Sequence, residues 1–350
     1  MKTKIKVAFF DAKPYDALSF DGVNETFGYT IKYFPYHLSI DTVTLTKGFD
    51  AVCVFVNDIV TPDVVEHLNA NGVKLIALRC AGYNNVDLKS VFNKIHVVRV
   101  PEYSPHAIAE HALALIFSLN RKTHRAYFRT RDGNFSINGL LGFDLFGKTA
   151  GIIGTGKIGK TMAGLCRGIG MNVVAYDRYP DESFARQSGV TYVTIEDLYK
   201  QSDVISLHCP LTPENKYMIN LSTIHSMKDG VILINTGRGQ LINSKDLIDG
   251  LKDKKIGAAG LDVYEEESEY FFEDFSGNGI DDDVLARLIT FPNVLITSHQ
   301  AFFTKEALHN IAQTTMDNIR LFFESNELPN EICYQCGAKL CTKKVTGHCF

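Results

Sequence analysis

Residues 149–177 read TAGIIGTGKIGKTMAGLCRGIGMNVVAYD, and this stretch decides the fold. An apolar, strand-like run is followed by Gly154, Gly156 and Gly159 and then by a helical pattern that extends to about residue 170. Gly154 permits a tight turn, Gly156 lets a pyrophosphate approach the backbone, and Gly159 allows close packing of helix on strand. The spacing predicts a dinucleotide-binding loop whose phosphates face the N-terminus of the helix.

The next strand-like run, NVVAY, ends at Asp177, eighteen residues beyond Gly159. A carboxylate at this place accepts hydrogen bonds from a ribose 2′-hydroxyl and repels a 2′-phosphate. Asp177 therefore favours NAD over NADP, although Arg178 directly after it softens that preference. Glycine-rich turns are common, so the prediction depends on the agreement of strand, loop, helix, strand and acid.

Outside this stretch, short apolar runs alternate with longer amphipathic stretches along almost the whole chain. This alternation is typical of parallel strands covered by crossover helices, so it predicts an α/β fold with two doubly wound parallel sheets. The expected strands are 4–10, 31–36, 51–56, 74–78 and 96–100 in a first series, and 149–153, 172–176, 203–207, 231–235, 258–263 and 294–297 in a second.

Two helical patterns connect these series. After Ser104-Pro105, the run AIAEHALALIFSLNRKTHRAY (107–127) carries one apolar stripe, which predicts a long helix at the start of the second domain. Residues 305–324 are again helical in period. We expect this last helix to return the chain to the first domain.

Composition and charge restrict the class of protein. The 350 residues are 45% hydrophobic and 22% charged with a net charge of -4, which is typical of a folded globular chain and offers no basic surface for nucleic acid or an anionic membrane. The first apolar run has four residues, too short for a signal peptide, and no run approaches the ~18 apolar residues of a spanning helix. Four cysteines stand singly in apolar segments, as expected of reduced thiols in a cytoplasmic protein: Cys53, Cys80, Cys166 and Cys209.

Three later strand ends carry side chains suited to carbonyl chemistry. Arg238 follows the fourth strand of the second series and can pair with a carboxylate at two points. Glu267 follows the fifth and His299 the sixth, and a histidinium kept protonated by a nearby carboxylate can protonate the alkoxide that hydride addition leaves. Ligands bind at the carboxyl ends of strands in open α/β sheets, so we expect these groups to converge. No carboxylate partner can be placed beside three other histidines, and they are expected to be structural because histidines in helices and strands are usually satisfied locally: His106, His111 and His208.

Eight stretches together resemble the D-specific 2-hydroxyacid dehydrogenases, and within that family the fermentative D-lactate dehydrogenase branch. They are LRCAGYNNVDL, VRVPEYSPHAIAEHA, NRKTHRAYFRTRDGNFS, GKTAGIIGTGKIG, DVISLHCPLTPEN, NTGRGQLI, GLDVYEEE and TSHQAFFT. The resemblance covers about residues 4–331. It implies a flavodoxin-like substrate-binding domain (1–103 and 300–332), a Rossmann NAD-binding domain (104–299) and a cleft between them that holds the substrate.

The resemblance also implies roles for single residues. Arg238 would be catalytic and bind the substrate carboxylate and carbonyl, Glu267 would orient the acid, and His299 would be the proton donor. The other substrate-binding residues would be the backbone of Ala81 and Gly82, the Tyr103 side chain and, in the side-chain pocket, Phe302. On the cofactor side the resemblance adds to the glycines and Asp177 the residues Lys157, Ile158, Cys209, Pro210, Asn215, Thr236, Gly237, Arg238 and Asp262.

The substrate remains open within the family. The acid-rich segment YFFEDFSGNGIDDDVLARLI (270–289) resembles the lactate branch, which implies reversible reduction of pyruvate to D-lactate by NADH. Bulkier 2-oxo acids such as 2-oxoisocaproate use the same scaffold and are the alternative. A third interpretation is a non-enzymatic, NADH-sensing scaffold similar to a corepressor, which the intact set of Arg238, Glu267 and His299 disfavours. Family members are commonly homodimers or homotetramers.

The last twenty residues, EICYQCGAKLCTKKVTGHCF (331–350), depart from the family pattern. Cys333 and Cys336 are spaced like half of a zinc knuckle, and Cys341, His348 and Cys349 offer further soft ligands, although a second Cys-x-x-Cys is missing. A bound metal, a disordered or redox-labile tail, and a contact with a partner are the three interpretations. No catalytic step requires a metal, so the sequence assigns none to the mechanism, and the role of residues 333–350 stays unknown.

Overall fold

The computed structural model describes residues 4–266, 270–325, 327–336 and 341–350. Its strands are β1 (Lys6–Phe9), β2 (Thr30–Tyr33), β3 (Ala51–Val54), β4 (Leu75–Leu78), β5 (His96–Arg99), β6 (Thr149–Ile153), β7 (Asn172–Tyr176), β8 (Thr191–Tyr192), β9 (Val204–Leu207), β10 (Val231–Asn235), β11 (Ile256–Leu261) and β12 (Val294–Ile296). Its helices are α1 (Pro14–Phe27), α2 (Pro62–Ala70), α3 (Leu88–Val91), α4 (Pro105–Arg121), α5 (Thr123–Arg131), α6 (Lys157–Gly168), α7 (Glu182–Ser188), α8 (Ile195–Gln201), α9 (Leu221–Ser226), α10 (Ser244–Lys252), α11 (Asp283–Thr290), α12 (Lys305–Glu324) and α13 (Lys343–Thr346).

The chain forms two compact units. The first contains Met1–Ser104 and Phe303–Phe350, and the second contains Pro105–Phe302. Each unit has its own parallel sheet, so the expected α/β class with two parallel-sheet domains is confirmed. No helix among the described residues is both long and apolar enough to cross a membrane.

The first unit contains a five-stranded sheet in the order β2-β1-β3-β4-β5. All of its strand pairs are parallel, with Phe9 opposite Cys53 and Val54 opposite Leu78. The inner strands β3 (AVCV) and β4 (LIAL) are buried along their whole length, as expected of parallel strands covered on both faces. Helix α12 packs on α1 in this unit, so the chain does return here after the second sheet.

The second unit contains a seven-stranded parallel sheet in the order β12-β11-β10-β9-β6-β7-β8. Neighbouring side chains of one strand belong to different apolar cores: Ile152 and Ile232 pack in one cluster, whereas Ile153 and Leu233 pack in the other. Because side chains alternate between the faces of a sheet, both faces are buried. The strand order reverses between β6 and β9, which is the place where α/β sheets of this kind bind ligands.

One expected helix is interrupted in the structure. The pattern over 107–127 predicts one long helix, but α4 ends at Arg121 and α5 begins at Thr123, because Lys122 adopts a left-handed conformation with φ of 50°. The segment that follows α5 stabilises this interruption between α4 and α5. Asn120 Nδ2 donates to the carbonyl oxygen of Phe143 at 2.7 Å, and Asn120 Oδ1 accepts from the Phe143 N–H at 2.9 Å.

The C-terminal segment lies along the edge strand of the first sheet. Glu331 forms an antiparallel bridge with Val98, and the Ile332 N–H donates to the Val97 carbonyl at 2.9 Å. The Arg99 N–H donates to the Asn330 carbonyl at 3.1 Å. An edge strand otherwise offers unpaired N–H and C=O groups to other chains, so this segment protects β5.

Candidate active site

The glycine loop between β6 and α6 has the shape that its sequence requires. Gly154 has φ of 92°, and a Cβ there would lie 2.6 Å from the backbone nitrogen of Cys209. A Cβ on Gly159 would lie 1.9 Å from the Gly154 carbonyl oxygen. A Cβ on Gly156, the residue before α6, would meet no heavy atom within 4 Å. The fold itself therefore requires glycine at the first and third positions, whereas glycine at the second leaves the backbone open to an approaching group.

Asp177 lies at the end of β7 and faces this loop. Its Oδ2 accepts from the Thr155 N–H at 2.6 Å and from Thr155 Oγ1 at 3.0 Å, and its Oδ1 accepts from the Tyr179 N–H at 2.8 Å. Burial raises the pKa of Asp177, but these hydrogen bonds and the nearby Lys160 outweigh burial and hold the pKa below its usual range. Asp177 is thus ionised at neutral pH, as a ribose-binding carboxylate must be.

Thr155 was not among the residues singled out from the sequence. Besides its contacts with Asp177, its Oγ1 lies 2.8 Å from the Tyr192 hydroxyl of β8. The threonine therefore joins the glycine loop to two neighbouring strands. Its place between two glycines was the available signal, but its partner on β8 depends on tertiary structure.

The turn after β9 carries Cys209, Pro210 and Asn215. Asn215 holds the turn by accepting from the Thr212 N–H at 2.7 Å and donating from Nδ2 to the Pro210 carbonyl at 2.8 Å. Burial raises the pKa of the Cys209 thiol to about 11, so the group is protonated at neutral pH. Cys209 is therefore a packing residue beside Gly154 and not an activated nucleophile.

Arg238 is positioned by the turn that follows β10. Asn235 is fully buried, accepts from the Gly237 N–H at 3.0 Å and donates from Nδ2 to the Arg238 carbonyl at 2.9 Å. This Asx turn directs the chain away from the strand. Arg238 is partly buried, and its Nη1 donates to the Gly237 carbonyl at 2.8 Å. Gly239 must be glycine, because a Cβ would lie 2.0 Å from the Tyr264 carbonyl oxygen.

Thr236, in the same turn, contains a buried hydroxyl with no hydrogen-bond partner in the part of the chain that the structure describes. An unpaired buried hydroxyl costs about 1–3 kcal/mol, so a group that bonds to it when bound would recover that cost. Together with the open backbone at Gly156 and the ionised Asp177, this hydroxyl fits a bound dinucleotide. Lys157 and Ile158 are the first residues of α6, directly after Gly156.

His299 follows β12 in a left-handed conformation with φ of 51°. Such a backbone is uncommon for a residue other than glycine and is maintained only where its surroundings impose it. Asp262, at the end of β11, imposes it here: the Asp262 carbonyl accepts from the His299 N–H at 2.8 Å. The Asp262 carboxylate accepts from the N–H groups of Gln300 and Ala301, each at 2.9 Å.

Asp262 is fully buried, and a third donor, Thr297 Oγ1, lies 2.5 Å from its Oδ1. This carboxylate is thus engaged with the loop that carries His299. The structure corrects the expectation that no carboxylate lies beside two of the histidines. His111 Nε2 lies 3.4 Å from Asp262 Oδ1 and 3.0 Å from Thr297 Oγ1, and the exposed His106 has its Nδ1 3.9 Å from Glu110 Oε1. By contrast, burial lowers the pKa of His208 to about 4, so that histidine is neutral at neutral pH.

The structure describes most, but not all, of the remaining residues that the sequence predicts to be catalytic or substrate-binding. Glu267 lies outside the described residues. In the first unit, Ala81 and Gly82 follow β4 and are partly exposed, and the Ala81 carbonyl accepts from Arg99 Nη1 at 2.7 Å. Tyr103 follows β5, and its carbonyl accepts from Asn310 Nδ2 at 2.7 Å. Phe302 is buried at the end of the second unit.

The first sheet contains a charged cluster that sequence reasoning missed. Arg79, directly after β4, is 2% exposed and donates to the carbonyls of Phe10 at 3.1 Å and Asp11 at 2.7 Å. Its Nε lies 3.4 Å from Asp16 Oδ1. Asp58 is also buried and accepts from the N–H groups of Leu38 at 2.6 Å and Phe55 at 2.5 Å. Arginine and aspartate are ordinary surface residues in sequence, so only the fold reveals this cluster.

Comparison with known proteins agrees with this architecture. Residues 113–301 match the family model "D-isomer specific 2-hydroxyacid dehydrogenase, NAD binding domain". A D-lactate dehydrogenase of Escherichia coli (strain K12) is 50% identical over 329 residues, which are 94% of this chain and 100% of that protein.

Solved structures give the same result for the fold. The apo-structure of D-lactate dehydrogenase from Escherichia coli matches with a TM-score of 0.87 and 48% identity, over 94% of this chain and 100% of that one. A structure of D-2-hydroxyisocaproate dehydrogenase matches with a TM-score of 0.83 and 32% identity, over 94% of this chain and 99% of that one. The glycine loop, Asp177 and the ordered strand ends thus occur in a chain that belongs to the D-isomer specific 2-hydroxyacid dehydrogenase family and is an NAD-dependent oxidoreductase.

Proposed function

We propose that this chain is a D-lactate dehydrogenase, which reversibly reduces pyruvate with NADH and a proton to D-lactate and NAD. The observation that carries the proposal is the common edge of the second sheet, where Arg238 and His299 follow β10 and β12 and the glycine loop follows β6. The relative from Escherichia coli, named for this reaction, supports the choice of substrate.

In this proposal the cofactor, when bound, supplies the hydride. Arg238 donates hydrogen bonds to the substrate carboxylate and to the carbonyl oxygen, which stabilises negative charge as it develops there. His299 gives a proton to that oxygen in the reducing direction and removes it in the oxidising direction. Glu267 assists His299 in this proton transfer, and the fixed backbone around Asp262 holds the His299 loop in place.

The remaining roles follow the same proposal. The first unit binds substrate through the backbone of Ala81 and Gly82 and through Tyr103, with Phe302 beside the substrate side chain. The second unit binds NAD through Gly154, Gly156, Lys157, Ile158, Gly159, Asp177, Cys209, Pro210, Asn215, Thr236, Gly237 and Arg238, with Asp262 as the residue that positions the loop. We propose that the protein is cytoplasmic and forms a homodimer or homotetramer. Sedimentation of the purified protein decides between the two oligomeric states.

A bulkier substrate is the second candidate, and the fold likeness to D-2-hydroxyisocaproate dehydrogenase favours it. The test measures NADH oxidation with pyruvate, 2-oxoisocaproate, phenylpyruvate, hydroxypyruvate and glyoxylate, followed by chiral analysis of the product. We expect the highest kcat/KM with pyruvate and D-lactate as the product. Preference for a branched or aromatic acid would show that pyruvate is not the main substrate. NADH binding without turnover of any 2-oxo acid would show that the protein is a sensing scaffold and not an enzyme.

A further inference from the structure

Four cysteines of the C-terminal segment meet at one point: Cys333, Cys336, Cys341 and Cys349, here called the four-cysteine cluster. Their sulfur atoms all lie within 4.8 Å of one another. Cys333 and Cys349 are buried, whereas Cys336 is exposed and Cys341 is partly exposed. The cluster belongs to the first unit, outside the candidate active site of the second, and no catalytic role uses it.

The sulfur separations are those of a tetrahedral metal site. Four of the six Sγ···Sγ distances are 3.8 Å (Cys333–Cys336), 3.9 Å (Cys333–Cys341), 3.7 Å (Cys336–Cys349) and 3.8 Å (Cys341–Cys349). With Zn–S bonds of ~2.3 Å, a regular tetrahedron of sulfurs has edges of ~3.8 Å. A disulfide would require ~2.05 Å between two of these atoms, so the arrangement is that of four thiol groups around a common centre.

The surroundings of the cluster suit thiolate ligands. The Cys333 N–H donates to Cys336 Sγ at 3.2 Å, and the backbone N–H groups of Gln335 and Lys343 donate to Cys333 and Cys341. Hydrogen bonds of this kind stabilise negative charge on sulfur and orient metal ligands. The sulfurs thus have backbone donors directed at them from several sides.

Glu331 fixes the position of the last ligand. Its carboxylate accepts a hydrogen bond from the Cys349 N–H and lies 2.6 Å from His96 Nδ1 on β5. The Glu331 carbonyl accepts from Lys343 Nζ at 2.6 Å. One acidic residue therefore ties the cluster to the edge of the five-stranded sheet.

The same segment covers β5 with aromatic rings. Phe350 stacks on His96 with ring centroids 4.3 Å apart, and Phe92 lies 5.0 Å from Phe350 and 5.1 Å from Tyr334. A segment of about twenty residues has little apolar surface of its own to bury, and short segments of this kind commonly depend on a metal or disulfide for their fold. A metal ion bound by all four cysteines would therefore fix these rings in place.

We propose that the four-cysteine cluster binds one zinc ion through four thiolates and that this ion holds the C-terminal segment on strand β5. Zinc suits the site because a closed tetrahedral set of four cysteines is a structural zinc site and leaves no open position for substrate. Its role is to stabilise the first unit, independently of the reaction at the second.

The test is elemental analysis of the full-length protein purified under reducing conditions without chelator. We expect one zinc per chain, and eight free thiols once the protein is denatured with chelator, since the chain has eight cysteines. In the double variant Cys336→Ser/Cys341→Ser we expect zinc to be lost. These two residues are the more exposed ligands, so their replacement disturbs packing least.

The matched control is His348→Gln. His348 is next to Cys349, but its Nδ1 lies 2.6 Å from the Phe350 carbonyl oxygen, so we expect this variant to keep its zinc. Hydrogen exchange gives a second readout that needs no variant: stripping zinc from the wild type should speed exchange in residues 328–334 and leave the strands of the second unit unchanged. Protein without zinc, with iron instead, or with two disulfides among these cysteines would overturn the proposal, as would loss of zinc in His348→Gln.

Discussion

Each of the two sheets of this protein has a point where the strand order reverses. The side chains at the two points differ in whether they bond to one another or remain open to a ligand. In the first unit this point lies between β1 and β3, and in the second between β6 and β9. Reversal points are where α/β sheets bind ligands, so position alone would make both candidate sites. What differs is the chemistry of the groups that occupy them.

At the reversal point of the first sheet, Arg79 is paired with its neighbours, whereas the buried Asp11 carboxylate beside it meets Lys13 Nζ at 3.0 Å but accepts no hydrogen bond from a described residue. The Arg79 guanidinium donates to two carbonyls from the end of β1 and lies between the rings of Phe9 and Phe55, at 4.5 and 4.7 Å from their centroids. Burial raises the pKa of Asp58 to about 6, although Arg79 and two backbone N–H groups pull it down. Buried charges held in this way fasten strand ends together.

At the reversal point of the second sheet, groups remain available to a ligand. Gly156 leaves the backbone open, Thr236 has a buried hydroxyl that no described residue bonds, and Asp177 is ionised. The comparison teaches that a strand edge is the stronger candidate for a ligand site where an open glycine backbone and a buried hydroxyl that no described residue bonds accompany the charged group. Paired charges such as those around Arg79 mainly fasten strand ends together. Substitutions at the two reversal points should therefore differ in effect: those in the second sheet should alter catalysis or cofactor binding, and those in the first should alter stability.

The largest effect should come from Arg238→Gln. We expect kcat/KM for pyruvate to fall by about 10³ or more, because one lost donor to developing charge costs ~10²–10³ and the guanidinium offers two. Steady-state kinetics with NADH measure this. Arg238→Lys keeps the charge without the planar fork and should fall between the wild type and Arg238→Gln. Wild-type kinetics in Arg238→Gln would remove this residue from the reaction.

Arg79→Gln should act on stability and not on chemistry. Removing one partner from a buried set of charges costs about 3–5 kcal/mol, so we expect the free energy of unfolding in urea to fall by that amount. The control is Arg320→Gln, since Arg320 forms a partly exposed ion pair with Asp317 at 3.1 Å and should change stability by less than about 1 kcal/mol. Equal stability of the two variants would contradict the structural role of Arg79.

Gly159→Ala tests the glycine loop. A Cβ there would lie 1.9 Å from the Gly154 carbonyl oxygen, so the loop must shift, and we expect NADH affinity to fall about 10-fold or more. Gly164→Ala is the control on the same helix, because its Cβ meets no atom within 4 Å and alanine should stabilise the helix by about 0.5–1 kcal/mol. Fluorescence titration with NADH compares the two, and equal affinities would refute the close packing of α6 on the loop.

Asp177→Ser should change the preference between the two cofactors. Hydrogen bonds to a charged group contribute about 1.5–3 kcal/mol, so loss of the carboxylate should raise the KM for NADH about 10-fold or more. Removing its charge should also lower the KM for NADPH, since a 2′-phosphate is no longer repelled. An unchanged ratio of kcat/KM for the two cofactors would show that Asp177 does not select NAD.

Much of the second sheet could be predicted from the sequence. The bounds expected for β6, β7 and β10 are those observed, because continuous apolar runs between turn residues leave little choice of structure. The two-residue strand β8 was missed, since Thr191–Tyr192 is too short to show a period. The break at Lys122 was missed because it depends on residues 141–143, about twenty positions further along the chain.

The candidate site was predictable to the level of strand ends and no further. The sequence places Arg238 and His299 after their strands, but it does not show that Asp262 holds the His299 loop, because those hydrogen bonds join residues 35–39 positions apart. Arg79 was missed for a related reason. Its partners, Phe10 and Asp11, lie 69 and 68 positions away.

The most direct test of the second sheet's role is His299→Gln, measured in a single turnover with NADH and pyruvate and, separately, by NADH titration. We expect NADH to bind with wild-type affinity while reduction slows by roughly the 10²–10⁴ of a lost general acid. Glutamine keeps the size and polarity of the side chain but cannot give up a proton. Wild-type reduction by His299→Gln would contradict the account, because another group would then have to protonate the substrate.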